Sequence, residues 1–227
     1  MFRICFSVVF QRQERSERKI LHDTAVTADS AGLECKTSAK ILLSCPCTEI
    51  PFDRRKKMDF EKLCTERYSL RKFSDRPVEE EKLEKILEAG RHAPTAHNLQ
   101  PQRILVMQSK EALEKAETCT ACKFHPPVIL VVAYDPSKAW NREGDMKNHG
   151  EIDATIAATQ MMLQAADLGL GTCYVGMFSQ EKLHETFPEM KGLVATAMLP
   201  LGYPAETAHP SRLHADRMPI DEMVIRL

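Results

Sequence analysis

Arg67, Ser69 and Arg71 alternate within Arg67-Tyr68-Ser69-Leu70-Arg71-Lys72-Phe73, and Lys72 adds a third cation. An extended chain turns alternate side chains to one side, so two guanidinium groups and a hydroxyl share a face. Guanidinium offers planar pairs of donors that match phosphate oxygens, and serine adds a short one. The chemistry is recognition of an oxyanion; a solvated basic strand is the other reading. Cys119 and Cys122, with His125 nearby, have a metal-like spacing. A structural zinc site wants four ligands, and no second pair lies at a suitable spacing. They read as ordinary thiols, with no metal.

The elements that must position these residues follow from periodicity. Residues 59–66 read as a helix with Phe60, Leu63 and Cys64 on one face. Residues 78–89 read as a second, with Leu83, Ile86 and Leu87 inward, a Glu-rich first turn and Gly90 as its cap. A loop (92–101) leads to a strand (103–108) and a short helix (110–117). The β-branched run 128–134 reads as a buried strand. A long polar loop, 135–150, precedes the longest helix, 151–168. There Ile152, Ile156, Thr159, Met162, Leu163 and Ala166 recur at helical spacing, and the alanines permit close packing on another helix. A strand (172–175), a helix (180–187), a strand (194–201) and a short apolar segment (220–224) complete the chain. Strands and helices mix without a βαβ repeat, which predicts an α+β fold. Gly169-Leu170-Gly171 follows a helix and precedes a strand, the reverse of a dinucleotide fingerprint.

The 227 residues are 43% hydrophobic, which suits one domain with an appendage. No apolar run reaches the ~18–20 residues of a membrane span. Residues 1–57 hold 11 Lys/Arg against 7 Asp/Glu, whereas residues 58–227 hold 20 against 25. The acidic body argues against nucleic acid. Irregularly spaced cysteines predict reduced thiols and a cytoplasmic protein. Residues 1–57 lack a sustained period, a signal-peptide order and the acid-poor composition of a transit peptide. They read as a mis-called or disordered extension before a domain at 58–227. Arg54-Arg55-Lys56-Lys57-Met58 is what AGG-AGG-AAA-AAA-ATG encodes, a bacterial ribosome-binding site, spacer and start.

Four stretches join the basic segment: Ala93-Pro94-Thr95-Ala96-His97-Asn98-Leu99-Gln100-Pro101, Leu168-Gly169-Leu170-Gly171-Thr172-Cys173-Tyr174-Val175-Gly176, Leu201-Gly202-Tyr203-Pro204 and Arg217-Met218-Pro219. In this order and spacing, over about residues 58–227, the chain resembles the FMN-dependent nitroreductase family, and its short members most. The resemblance implies a nitroreductase-like mixed sheet flanked by helices, in a homodimer whose core is helix 151–168. Arg67, Tyr68, Ser69 and Arg71 match the segment that binds the FMN phosphate, and Arg217 a late basic residue that also reaches it. A second cation found in some relatives is replaced by Ala215, for which Arg212 or His214 would substitute.

Pro94, Thr95, Ala96 and Asn98 match the loop that contacts flavin bound by the partner subunit. Gln102 stands where many relatives have tryptophan. Val175, Gly176 and Met177 match the turn whose backbone N–H faces the reactive flavin nitrogen. Trp140, Asn141 and Arg142 would cover the outer flavin face or form a plain surface loop. The implied activity is transfer of two electrons from NADH or NADPH to a small-molecule acceptor such as a nitroaromatic or quinone, with no catalytic side chain. Same-fold alternatives are reductive dehalogenation, flavin breakdown, or FMN storage and sensing without catalysis.

Overall fold

The apolar run Val128–Tyr134 is strand β2, and it occupies an interior position in the sheet. A computed structural model describes residues 59–227; the expectations for residues 1–57 lie outside the described residues. β2 pairs antiparallel with β1 (Gln102–Met107) on one side and β4 (Val194–Gly202) on the other. β3 (Gly171–Thr172) joins β4 at the far edge, giving the order β1-β2-β4-β3. The named strands pair antiparallel. Among the described residues the parallel pairing is one isolated bridge, Ser69 to Thr172.

Because alternate strand residues face opposite ways, β2 serves two cores. Val128, Leu130 and Val132 join Leu199 and Leu201 beneath helices α2 (Glu80–Arg91) and α4 (Gly150–Asp167). Ile129, Val131 and Ala133 face Met107, Leu183 and Met190, beside α3 (Lys110–Thr118) and α5 (Gln180–Thr186). Side chains cap three helices: Asp59 at α1 (Phe60–Glu66), Ser109 at α3 and Ser179 at α5 each accept a backbone N–H. A last short helix, α6, spans Ile220–Met223.

Helix α4 buries its small face. Ala154, Ala157, Ala158, Met161 and Ala165 lie in the core, whereas Ile152 is 40% exposed and Thr159 is exposed. Of the residues marked by helical spacing in the sequence, Ile152 and Thr159 thus stay outside the core, while Met162 packs against its edge. Gly90 differs from expectation too. It does not end α2 but lies inside it, where an added Cβ would stand 2.8 Å from Met161 Cγ. The glycine brings α2 and α4 together. β3 is also shorter than the predicted 172–175. After Thr172 the chain leaves the ladder and returns only at Val175, which exchanges two backbone hydrogen bonds with Met198, both 3.0 Å.

The edge contact that matters most lies at Gly171. A Cβ there would fall 2.4 Å from Leu70 Cδ2 and 2.8 Å from Leu70 Cβ, and Leu70 is 1% exposed. Gly171→Ala is expected to destabilise by ~1–3 kcal/mol, or about 2–12 °C in Tm. Thermal unfolding checks this; an unchanged Tm would mean that the contact is not tight.

Candidate functional site

The Arg67–Arg71 segment lies along β3. The Leu70 N–H donates to the Thr172 carbonyl (2.9 Å), and Ser69 bridges to Thr172. Leu70 points into the core, so Arg67, Ser69 and Arg71 take the other side, as the alternation predicts. Arg71 is exposed and its Nη1 donates to the Ser69 carbonyl (3.1 Å). Arg67 is half-buried, and its Nη1 is buried without a partner. A buried guanidinium donor left unpaired is costly.

Cys173 follows Thr172 and stands against the same residues. Burial pushes its thiol up, while the Arg71 charge and a hydrogen bond with Ser69 pull it down. The Tyr68 ring meets the His214 ring edge-on at 6.2 Å, and His214 Nε2 lies 3.0 Å from the Thr65 carbonyl. The C-terminal segment thus reaches the basic segment through His214. Arg217 is exposed, with Nη1 on the Asp216 carbonyl (2.6 Å).

A clamp that sequence reasoning missed fixes the far side of the segment. Ser74 N–H donates to the Tyr203 carbonyl (2.9 Å), and Ala205 N–H to the Lys72 carbonyl (3.1 Å). The Tyr203 hydroxyl donates to Glu79 Oε2 (2.6 Å) and accepts from Lys82 Nζ (2.8 Å). Lys82 also donates to the Leu168 carbonyl (2.9 Å), and the Arg76 guanidinium lies 3.9 Å above the Tyr203 ring. The Tyr203 hydroxyl, then backbone N–H and Arg76, hold the Glu79 carboxyl down at about 2. The only sequence signal was Tyr203 in Leu201-Gly202-Tyr203-Pro204; its partners lie more than a hundred residues earlier.

The Pro94–Asn98 loop is held by other elements. Ala96–Asn98 forms a 3-10 turn; the Ala96 N–H donates to Asp153 Oδ1 on α4 (2.9 Å), and Gln100 N–H to Thr95 Oγ1 (3.1 Å). His97, Asn98 and Gln100 have φ of 52°, 54° and 52°, a left-handed cluster that costs backbone energy. Pro94 and Asn98 are exposed; Thr95 and Ala96 are half-buried. Trp140 packs on His97 (ring centroids 5.2 Å) and on His149 (4.7 Å). Its loop is folded on itself: Asn141 bridges to Asn148, and Arg142 is paired with Asp145.

Val175 is buried in the sheet, whereas Gly176 and Met177 emerge from it, Met177 at 65% exposure. A Cβ on Gly176 would meet no atom within 4 Å among the described residues, so none of them demands glycine there. Thr120 Oγ1 donates to the Met177 carbonyl (2.5 Å). Cys119 is buried, Cys122 half-buried, and His125 pairs with Glu117. Among the described residues no three His, Cys, Asp or Glu side chains gather to hold a metal.

The structure therefore brings two predicted sets together. Arg67, Ser69 and Arg71 lie beside Thr172, three residues before Val175. Both sets lie at the β3 edge of the α+β layer. The nitroreductase family model matches residues 64–124 and 119–203, and the chain belongs to that family. A Methanothermobacter thermautotrophicus protein with the provisional name NADH dehydrogenase/NAD(P)H nitroreductase is 30% identical over 71% of this chain and 88% of its own. The crystal structure of a nitroreductase family protein from Clostridium difficile 630 is 38% identical, with a TM-score of 0.69 over 74% of this chain and 98% of that one. A Desulfovibrio desulfuricans protein, provisionally called a nitroreductase and crystallised with FMN, is 25% identical, with a TM-score of 0.63 over 76% and 98% of the two chains.

Two outcomes follow from the geometry. Glu79 is depressed from 4.5 to about 2, so its contribution to stability is complete above pH 4.5 and is lost as pH falls towards 2. Tyr203→Phe removes the main cause. Its stability deficit should be largest above pH 4.5 and shrink towards pH 2 in denaturant titrations; a deficit independent of pH would contradict the assignment. Cys64 is exposed and Cys173 buried, with its thiol raised. Peptide-resolved maleimide labelling at neutral pH should modify Cys64 first; equal rates would contradict the burial.

Proposed function

We propose that this chain binds FMN and passes two electrons from NADH or NADPH to a small-molecule acceptor, such as a nitroaromatic or quinone. The observation that carries the reading is the donor set Arg67, Ser69 and Arg71 on one face, with a buried, unpartnered Arg67 Nη1. Such a set suits the terminal phosphate of FMN, whose charge is near −2. Tyr68 spaces the donors, and Arg217 reaches the phosphate from the C-terminal segment that His214 ties to Thr65. At the other end of the site Val175, Gly176 and Met177 meet the flavin ring, with a backbone N–H near Gly176 as donor. The empty surroundings of Gly176 support a close approach by a bound group.

The site is completed by a second copy of the chain. Pro94, Thr95, Ala96 and Asn98 contact flavin bound by the partner, and the Ile152 face of α4, exposed in the single chain, packs against that copy. Bound FMN supplies the hydride chemistry, and the protein binds it, orients it and tunes its field. No side chain is assigned as nucleophile or acid–base. Among the described residues no helix is long and apolar enough to cross a membrane. Among the described residues Cys64, Cys119, Cys122 and Cys173 are free thiols, which fits a cytoplasmic setting. The domain begins at Met58, and residues 1–57 are an extension that the activity does not use.

Protein produced from residue 58 onward should be yellow, release FMN and not FAD on denaturation, and bleach anaerobically with NADH or NADPH. Double-reciprocal plots against a nitroaromatic or quinone should be parallel, as for two substrates that take turns at one pocket. Colourless protein that cannot be reconstituted with FMN defeats the proposal. Yellow protein that neither nucleotide reduces defeats the enzymatic part.

A further inference from the structure

Asp153 is the described chain's most buried carboxylate, at 2% exposure, and it sits in the first turn of α4. One oxygen accepts the Ala96 N–H at 2.9 Å, across 57 residues of sequence. The other, Oδ2, is buried without a partner. One turn earlier, His149 packs its ring on Trp140 and leaves Nε2 buried without a partner as well. Trp140 packs on His97, so the same end of α4 grips the loop a second time. What both grips hold is the most strained backbone in the site, with His97, Asn98 and Gln100 left-handed.

A strained, mostly exposed loop does not hold such a conformation alone; surrounding structure must over-determine it. A buried, half-satisfied carboxylate is likewise not kept for packing, since an apolar residue would pack there without desolvation cost. Each feature accounts for the other. We propose that Asp153 is a positioning residue: through the Ala96 N–H it locks the 94–100 loop in its left-handed form, so that Asn98 is presented to the flavin of the second copy. This rests on the reading of the loop as a flavin contact. The lock itself is independent of flavin.

The test uses the full chain with and without FMN. Asp153→Ala removes the acceptor; Asp153→Asn keeps an oxygen of the same size and position. Where Asp153→Ala does not fold, Ala96→Pro removes the donor instead and leaves Asp153 intact, at the first position of the 3-10 turn, where proline is tolerated. Without FMN, amide exchange across 96–100 should accelerate about 10–100-fold in Asp153→Ala or Ala96→Pro and stay near wild type in Asp153→Asn. With FMN, the same variants should bind it about tenfold more weakly and shift its visible absorption band, and Asp153→Asn should restore both. Unchanged exchange across 96–100 overturns the lock. Accelerated exchange with unaltered FMN affinity and spectrum overturns the positioning role. Wild-type protein that binds no FMN sinks the flavin reading, while the exchange data still decide the lock.

Discussion

The pairing of the Arg67–Arg71 segment with β3 is the contact on which the rest of the site depends. It consists of one backbone hydrogen bond, Leu70 N–H to the Thr172 carbonyl, and one parallel bridge. Only a glycine at 171 lets Leu70 seat closely enough for that bond. Once Leu70 is buried, chain geometry turns Arg67, Ser69 and Arg71 outward together. After β3 the chain leaves the ladder and rejoins it at Val175, whose two bonds to Met198 precede the exposed Gly176 and Met177. One edge thus carries both ends of the candidate site.

Two kinds of support surround that edge. The Tyr203 clamp gathers Glu79, Lys82 and Arg76 around one ring and hydroxyl, and ties the segment after Phe73 to the end of β4. Its polar contacts are charge-assisted: the Tyr203 hydroxyl donates to the Glu79 carboxylate and accepts from the Lys82 ammonium. The Pro94–Asn98 loop, with left-handed His97 and Asn98, is held by a buried acceptor, Asp153 Oδ1. The first ties the segment after Phe73 to the end of β4; the second bonds the Ala96 N–H to a carboxylate on α4.

The elements were legible where pattern is local. Val128–Tyr134 was read residue for residue, because a β-branched run bounded by Pro127 and Asp135 has no competing period. The basic segment was legible because alternation alone places three donors on one face. What could not be read depends on distant partners. Nothing near Gly90 announces Met161, so a glycine at a helix end looked like a cap. On α4 the alanines permit the close packing that the sequence suggested, but which face meets the sheet and α2 depends on those distant elements: Ala154, Ala157, Ala158, Met161 and Ala165 are buried while Ile152 is 40% exposed. Asp153 was overlooked because an acid in a helix's first turn is ordinary; only its burial and its bond to Ala96 mark it out.

The central claim is that Arg67, Ser69 and Arg71 recognise a phosphate. Affinities for FMN and for riboflavin, which lacks the phosphate, test it most directly in wild type and in Arg71→Ala. The account predicts that wild type binds FMN far more tightly than riboflavin. Arg71→Ala should weaken FMN by ~1.5–3 kcal/mol and leave riboflavin unchanged, so that the gap narrows. Equal weakening of both ligands, or no preference for FMN in wild type, would contradict it.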